Sequence, residues 1–394
     1  MAVPRAPVSL AIAKHAVDAL MTFYDPSTGL WDPGAPWWQS GLALQAVLDY
    51  MAATGNLEYL PQARYTIETQ RHVLPWWPAG GGEFRAQSTD DTGWWALALT
   101  SMHALTGGEA PFLDIAKLDE AYIWSYWTGG DSTGGGAVCG GGIIWNVDDR
   151  RYHNAISNEL YLLLAATLHN HLVGSAGDIA TPTSNTNSTS ISTLVATSTS
   201  TSTSTSTSAS TEYLDRALQE WTWFFNSGMI NAENLINDGL LETTCANNNA
   251  PTWTYNQGVV LAGLVELYKA TGDASHLDTA RRLANAVIAS PALMPGGVLL
   301  EPCVHMAEGC EPDRTAFKGI FMRQLAKLDV VLADRPYKAV IEQNAQVMYD
   351  VARDFSSSSS SSGLYGGVWQ EPFDGASVGK QASAVLLLVA ALEV

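Results

Sequence analysis

Basic residues are scarce in this chain of 394 residues: 20 Lys and Arg stand against 39 Asp and Glu, a formal net charge of −19. That balance repels nucleic acid and anionic membrane surfaces at neutral pH and favours neutral or cationic ligands. No apolar run reaches the roughly 20 residues that a bilayer crossing needs, and the best candidate, Ala382 to Leu392, reads as a core helix. The first residues lack a basic region followed by an apolar one, so no secretory leader is visible, and the chain is expected to be a mature segment behind a start Met. The cysteines, Cys139, Cys245, Cys303 and Cys310, contain no CxxC spacing, which argues against zinc and thioredoxin-like chemistry. Two disulfides are expected instead, Cys303 with Cys310 closing a short loop and Cys139 left to Cys245, with four free buried thiols as the alternative. Disulfides imply an oxidising compartment. His153, His169 and His171 come without an HExxH motif or a carboxylate cage, so neither a metal nor a cofactor is expected.

What is abundant is Trp and Tyr, 14 of each against 9 Phe. Indole and phenol combine a flat apolar face with a polar edge, the surface on which sugar rings stack. Trp37-Trp38 and Trp76-Trp77, beside Pro and Gly, are the pairs least easily explained as core filling.

A weak internal repeat supplies the architecture: a polar or aromatic entry, an Ala/Leu-rich helical run, and often a closing Thr-Gly. Copies begin at Trp38, Trp94, Asn158, Asn256, Lys318 and Lys380, mostly about sixty residues apart. Between them lie amphipathic segments such as Leu60 to Leu74, Tyr213 to Phe225, Leu277 to Ile288 and Ala339 to Phe355. The spacing predicts an all-α fold, an (α/α)6 barrel of six inner and six outer helices, forming a single catalytic domain over residues 1–394. The polar entries and the Gly-rich loops at 80–82, 134–142 and 363–367 then converge on one end, where a site belongs. A plain α-solenoid is the rival. One long interval holds residues 181–211, dominated by Ser and Thr, which reads as a disordered, exposed insertion. It carries the sequon Asn187-Ser188-Thr189, and residues 356–362 read as a second flexible loop.

Asp90 and Asp91 stand side by side at the start of the second repeat copy, just before Trp94 and Trp95. Capping is the bland explanation, because acidic residues suit the positive end of a helix. Yet neighbouring side chains readily place their carboxyls about 5 to 5.5 Å apart, the separation of retaining glycosidases. Mutual repulsion would keep one ionised and make the other harder to ionise, as a nucleophile and an acid/base require. The residues alone find the pair without ordering the roles. A second acidic pair, Asp148-Asp149, is flanked by Arg150 and Arg151, and local ion pairing explains it better.

Five motifs follow one another along the chain: Asp90-Asp91-Thr92-Gly93-Trp94-Trp95-Ala96, Gly142-Ile143-Ile144-Trp145, Asn154-Ala155-Ile156-Ser157-Asn158-Glu159-Leu160, Thr254-Tyr255-Asn256-Gln257-Gly258-Val259, and Phe317-Lys318-Gly319-Ile320-Phe321-Met322-Arg323. Together they resemble glycoside hydrolase family 76, the retaining endo-α-1,6-mannanases and related fungal cell-wall enzymes. The resemblance implies an (α/α)6 barrel, with Asp90 as nucleophile and Asp91 as general acid/base. It implies α-1,6-mannan or a mannooligosaccharide as substrate. Trp145 looks like a stacking platform, and Asn158, Glu159, Tyr255, Asn256 and Gln257 look like hydroxyl-binding groups. Asp238 resembles a loop residue near the substrate, Lys318 could tune a carboxylate, and Trp38, Trp94, Trp95 and Trp369 are candidate cleft residues. The expected protein is a secreted or cell-wall-associated, monomeric hydrolase. Transglycosylation onto an acceptor glycan, as in the family's members acting on GPI-core glycans, is the catalytic alternative, and a silent mannan-binding protein the non-catalytic one. Those transferring members usually end in an anchor signal, and the absence of one here leans toward a soluble enzyme.

Overall fold

The computed structural model describes residues 9–71, 83–129, 138–177, 200–310, 312–356 and 363–394. Trp76-Trp77, the glycines at 80–82 and 134–136, the Asn187 sequon, the Ser/Thr tract up to residue 199 and residues 357–362 lie outside the described residues. The described chain is all-α apart from a short antiparallel hairpin that pairs Tyr24 with Trp31 and Asp25 with Leu30. Its helices are α1 Leu10–Met21, α2 Trp37–Thr54, α3 Leu60–Gln70, α4 Thr89–Leu105, α5 Ala110–Trp124, α6 Ala155–Gly177, α7 Ser200–Asn226, α8 Thr254–Thr271, α9 Ser275–Ala289, α10 Phe317–Val331, α11 Lys338–Val351 and α12 Val378–Glu393.

The even-numbered helices are the repeat copies, and each is buried nearly all round, from Trp38 to Met51 in α2 and from Val378 to Ala390 in α12. Helices without a polar face must be covered on all sides. Accordingly α2 packs on α4, α4 on α6, α6 on α8, α8 on α10, α10 on α12, and α12 back on α2. The odd-numbered helices cover this circuit from outside: α5 packs on α4, α7 on α6, α9 on α8 and α11 on α12. Their sequences are more one-sided; α9 buries His276, Ala280, Leu283, Ala284 and Val287, spaced three and four apart. The Thr-Gly closures act as left-handed caps: Gly55 at φ 70° and Gly272 at φ 72° donate to Met51 and Tyr268 carbonyls.

One expectation needs revision. Residues 200–211 do not belong to an unstructured insertion but form the first turns of α7. Ser210 is buried, and its carbonyl meets His169 Nδ1 at 2.7 Å, so tertiary packing overrides the modest helix propensity of Ser and Thr. Both disulfides are formed, Cys139 with Cys245 and Cys303 with Cys310. Among the described residues, no helix is long and apolar enough to cross a membrane.

The helices approach closely because glycine removes the side chain at contacts. A Cβ on Gly319 would lie 2.4 Å from Ser383 Cα, and one on Gly258 would lie 2.7 Å from Phe321 Cα. Both contacts are to backbone, which cannot swing aside. Gly319→Ala is therefore expected to lower stability by about 1–3 kcal/mol, read as a lower thermal midpoint, whereas Gly55→Asn, at an exposed cap, should change it far less.

Candidate functional site

The N-termini of α2, α4, α8 and α10 open onto one cleft of about 550 Å³, to which the segments preceding α6 and α8 add their own residues. Asp90 and Asp91 project from the first turn of α4 and are part-buried. Ser88 makes no side-chain cap. The helix start is instead pinned across the chain: Thr89 N–H donates to the Trp145 carbonyl at 2.9 Å, and Thr89 Oγ1 donates to the Ile144 carbonyl at 2.8 Å. Thr89 Oγ1 also meets Ser157 Oγ at 2.9 Å, tying α4 to α6. Trp145 is thus carried to the rim beside the carboxylates, and it stays 38% exposed, available to a ring stacking from solvent. The Cys139–Cys245 bridge and the Trp223 indole, which donates to the Cys139 carbonyl at 3.0 Å, anchor the same loop from behind.

The two carboxyls differ in their partners. Burial pushes Asp90 up to about 7, opposed by the backbone N–H of Asp91, 3.2 Å from Asp90 Oδ1, and by the side chain of Trp145. Asp91 rises well above the ordinary carboxylate range, by burial first, then by the neighbouring charges of Asp90 and Asp313, with no donor opposing the rise. Asp90 is therefore the group that ionises first and Asp91 the one that keeps its proton. This difference orders a pair that sequence spacing leaves symmetric.

Aromatic side chains wall the cleft. Trp38 and Trp94 stack with centroids 5.6 Å apart, Tyr255 lies flat on Phe317 at 3.7 Å, and Trp145 meets Tyr152 edge-on at 6.3 Å. Asp238 lies across the cleft and accepts from the Tyr152 hydroxyl; burial raises its carboxyl against the hydrogen bonds from Tyr152 and Trp253. Of the residues expected from sequence, Trp38, Asp90, Asp91, Trp94, Trp145, Asp238 and Tyr255 come together here.

The others lie elsewhere. Trp95 is fully buried against Phe84 and Trp37, turned away from the cleft that Trp94 faces. Asn158 spends its amide on backbone, accepting from Ile143 N–H at 2.7 Å and donating to the Ile143 and Asn154 carbonyls. Gln257 likewise grips Ile236 N–H and its carbonyl at 2.8 and 2.7 Å. These two amides brace the loops that present Trp145 and Asp238 rather than meeting the cleft. Glu159 and Asn256 are buried, their polar side-chain atoms without a hydrogen-bond partner among the described residues. Lys318 donates to the Gly367 carbonyl at 2.6 Å, 4.4 Å over the buried Trp369 ring, and lines a neighbouring pocket of about 260 Å³ with Glu301. Asp148 and Asp149 are held outside by Gln87 and Arg151.

Sequence reasoning missed Tyr152, Asn154, Trp253, Asp313, Arg314 and Phe317 as cleft residues. Asn154 and Phe317 open two of the motifs, and the others sit a few residues ahead of one, at helix entries. Extending the rule that entries converge by one turn upstream would have found them. Asp313 accepts from Trp38 Nε1 at 2.8 Å, and its segment follows the Cys303–Cys310 loop.

The sequence matches the family described as Glycosyl hydrolase family 76 over residues 10–175 and 178–393, and the chain belongs to that family. A Schizosaccharomyces pombe protein provisionally named a mannan endo-1,6-alpha-mannosidase is 26% identical over 319 residues, 78% of this chain and 62% of its own length. The Saccharomyces cerevisiae mannan endo-1,6-alpha-mannosidase DFG5 is 22% identical over 343 residues, 79% of this chain and 60% of that protein. The chain thus spans somewhat under two thirds of these relatives. Among solved structures, an inactive variant of the Salegentibacter sp. HEL1_6 alpha-1,6-mannanase GH76A, with two adjacent aspartates changed to asparagine and alpha-1,6-mannotriose bound, has a TM-score of 0.74 at 21% identity. The match covers 98% of this chain and 99% of that one.

Because both carboxyls have raised values in the fold, the unfolded chain ionises them first as pH rises, and stability falls from about pH 4 toward neutrality. Asp91→Asn is therefore expected to melt higher than the parent at pH 7, the gain shrinking toward zero below pH 4. Thermal denaturation across that range checks it; a lower midpoint at pH 7 would show that Asp91 serves the helix instead.

Proposed function

We propose that this chain is the catalytic unit of a retaining glycosidase that cleaves internal α-1,6-mannosidic bonds of mannan. The observation that carries this reading is the pair of adjacent, part-buried carboxyls with unlike hydrogen bonding, in a cleft walled by flat aromatic rings. Family membership and the paired-aspartate substitution in the inactive Salegentibacter variant support it. The closed sequence of contacts among the even-numbered helices, with the odd-numbered helices outside, supports an (α/α)6 barrel built as a single domain. Two disulfides fit a secreted or wall-associated protein.

In this scheme the ionised Asp90 attacks the anomeric carbon while Asp91 gives its proton to the departing glycosidic oxygen. The bond to the leaving sugar breaks as the ester to Asp90 forms. Asp91, now a carboxylate, takes a proton from water, whose oxygen attacks the same carbon and releases Asp90. Trp145, Trp94 and Tyr255 hold sugar rings by their faces, and Asp238 and Asn154 offer hydrogen bonds to hydroxyls. The neighbouring pocket shares Arg314 with the cleft, leaving room for an acceptor sugar, and this favours transfer as a second reading.

Incubation with linear α-1,6-mannan and analysis of product length separates the readings: shorter chains mean hydrolysis, lengthened chains or acceptor adducts mean transfer, and neither with binding retained would sink both. The roles separate by leaving group. Asp91→Asn should lose about 10²–10⁴-fold on mannan but far less on an aryl mannooligoside, whose phenolate departs unaided. Asp90→Asn should lose both activities.

A further inference from the structure

A second cavity, of about 580 Å³, lies at the opposite, C-terminal ends of the even-numbered helices. It is separate from the catalytic cleft. The gap between them, lined by Trp94, Leu97 and Arg323, has room for only about 10 Å³, no more than one water. We propose that this cavity binds a compact oxyanion, either free or as the phosphate group of a small molecule, with Lys327 and Arg323 as its principal donors.

The chain has 20 Lys and Arg in all, and Lys269, Arg323 and Lys327 line this one cavity together with His103 and His171. Among the described residues, Glu266 is the single carboxylate in its lining. Charges facing Lys327 are Asp49 on α2, Glu266 on α8, Glu393 on α12 and Arg323 on its own helix. Two of those carboxylates are already engaged. Asp49 takes Arg323 Nε and Nη2, the latter at 3.0 Å, and Glu266 takes Lys269 Nζ at 2.8 Å and Asn170 Nδ2 at 2.7 Å. Glu393 is exposed and forms no ion pair with Lys327. Lys327 makes no hydrogen bond or ion pair among the described residues, so its ammonium is the charge left over.

The donors left open are of the kinds that bind oxyanions. The edge-on pairing with Asp49 leaves Arg323 Nη1 unengaged, Lys327 offers an ammonium, and the Thr167 hydroxyl, also in the lining, makes no hydrogen bond among the described residues. A cavity of this size exceeds what a free oxyanion fills, and lies within the range of about 300–1,000 Å³ that holds small-molecule ligands. Without a partner, burial and the Arg323 charge lower Lys327 to about 8. The ammonium is present below that value and lost above it, so oxyanion affinity should hold at lower pH and fall as pH passes 8. His171, lowered by burial and by His103, contributes positive charge only in acid.

The test is calorimetric titration of the full chain with sulfate, inorganic phosphate and a hexose phosphate. Saturable binding at one site is expected, weakening on going from about pH 7 to about pH 9 with sulfate, whose own charge is constant there. Lys327→Met should weaken binding by about tenfold or more, and Lys327→Arg should retain it. A hexose phosphate binding more tightly than phosphate identifies an ester as the ligand; equal affinities identify the free anion. Should Lys327→Met not fold, sulfate must still protect Lys327 of the parent chain from reductive methylation, read by mass spectrometry. No saturable binding of any of the three, binding unaltered in a folded Lys327→Met, or an unprotected Lys327 would overturn the proposal.

Discussion

Two part-buried carboxyls held side by side in a cleft walled by aromatic rings repel each other and resist ionising, and the rest of the site holds them in that state. The first turn of α4 keeps Asp90 and Asp91 adjacent; Thr89, pinned to Ile144, Trp145 and Ser157, fixes where that turn sits. Asymmetry then comes from small differences. The Asp313 charge raises both, but Asp90 receives the N–H of Asp91 and faces the Trp145 side chain, while Asp91 receives no donor among the described residues. A group that ionises readily beside one that does not is what covalent glycoside chemistry requires.

The surrounding scaffold separates positioning from contact. Helices that are apolar on every side can only pack among others, and doing so brings their polar entries to one end. The amides of Asn158 and Gln257 are consumed in bracing two loops, and those loops in turn deliver Trp145 and Asp238 to the cleft. Glycine at Gly258 and Gly319 lets neighbouring helices meet backbone to backbone. Errors of a fraction of an ångström here would reach the carboxylates, because packed interiors transmit strain rather than absorbing it.

Much of this was legible from the amino acids. The repeat located all six even-numbered helices, because periodicity and Thr-Gly stops are local signals. The acidic pair stood out, because adjacent carboxylates are costly unless used. What the residues could not reveal was orientation. Trp94 and Trp95 are neighbours in sequence, yet one faces the cleft and the other the core, a rotation of about 100° that only packing decides. Asn158 and Gln257 were read as ligands for hydroxyls, since a buried amide's partner is invisible until its loop is placed. Asp313 escaped notice because its importance depends on a contact with Trp38, 275 positions away. The Ser residues at the start of α7 were misread because composition argues for disorder while docking on α6 argues for helix.

The central claim concerns protonation, and protons can be counted. Carbon-13 NMR of aspartate carboxyls, assigned with the two Asn variants, follows each group through a pH titration. The account predicts that Asp90 titrates near neutrality and Asp91 remains protonated beyond it. Both groups titrating near pH 4, as solvated carboxylates do, would contradict it.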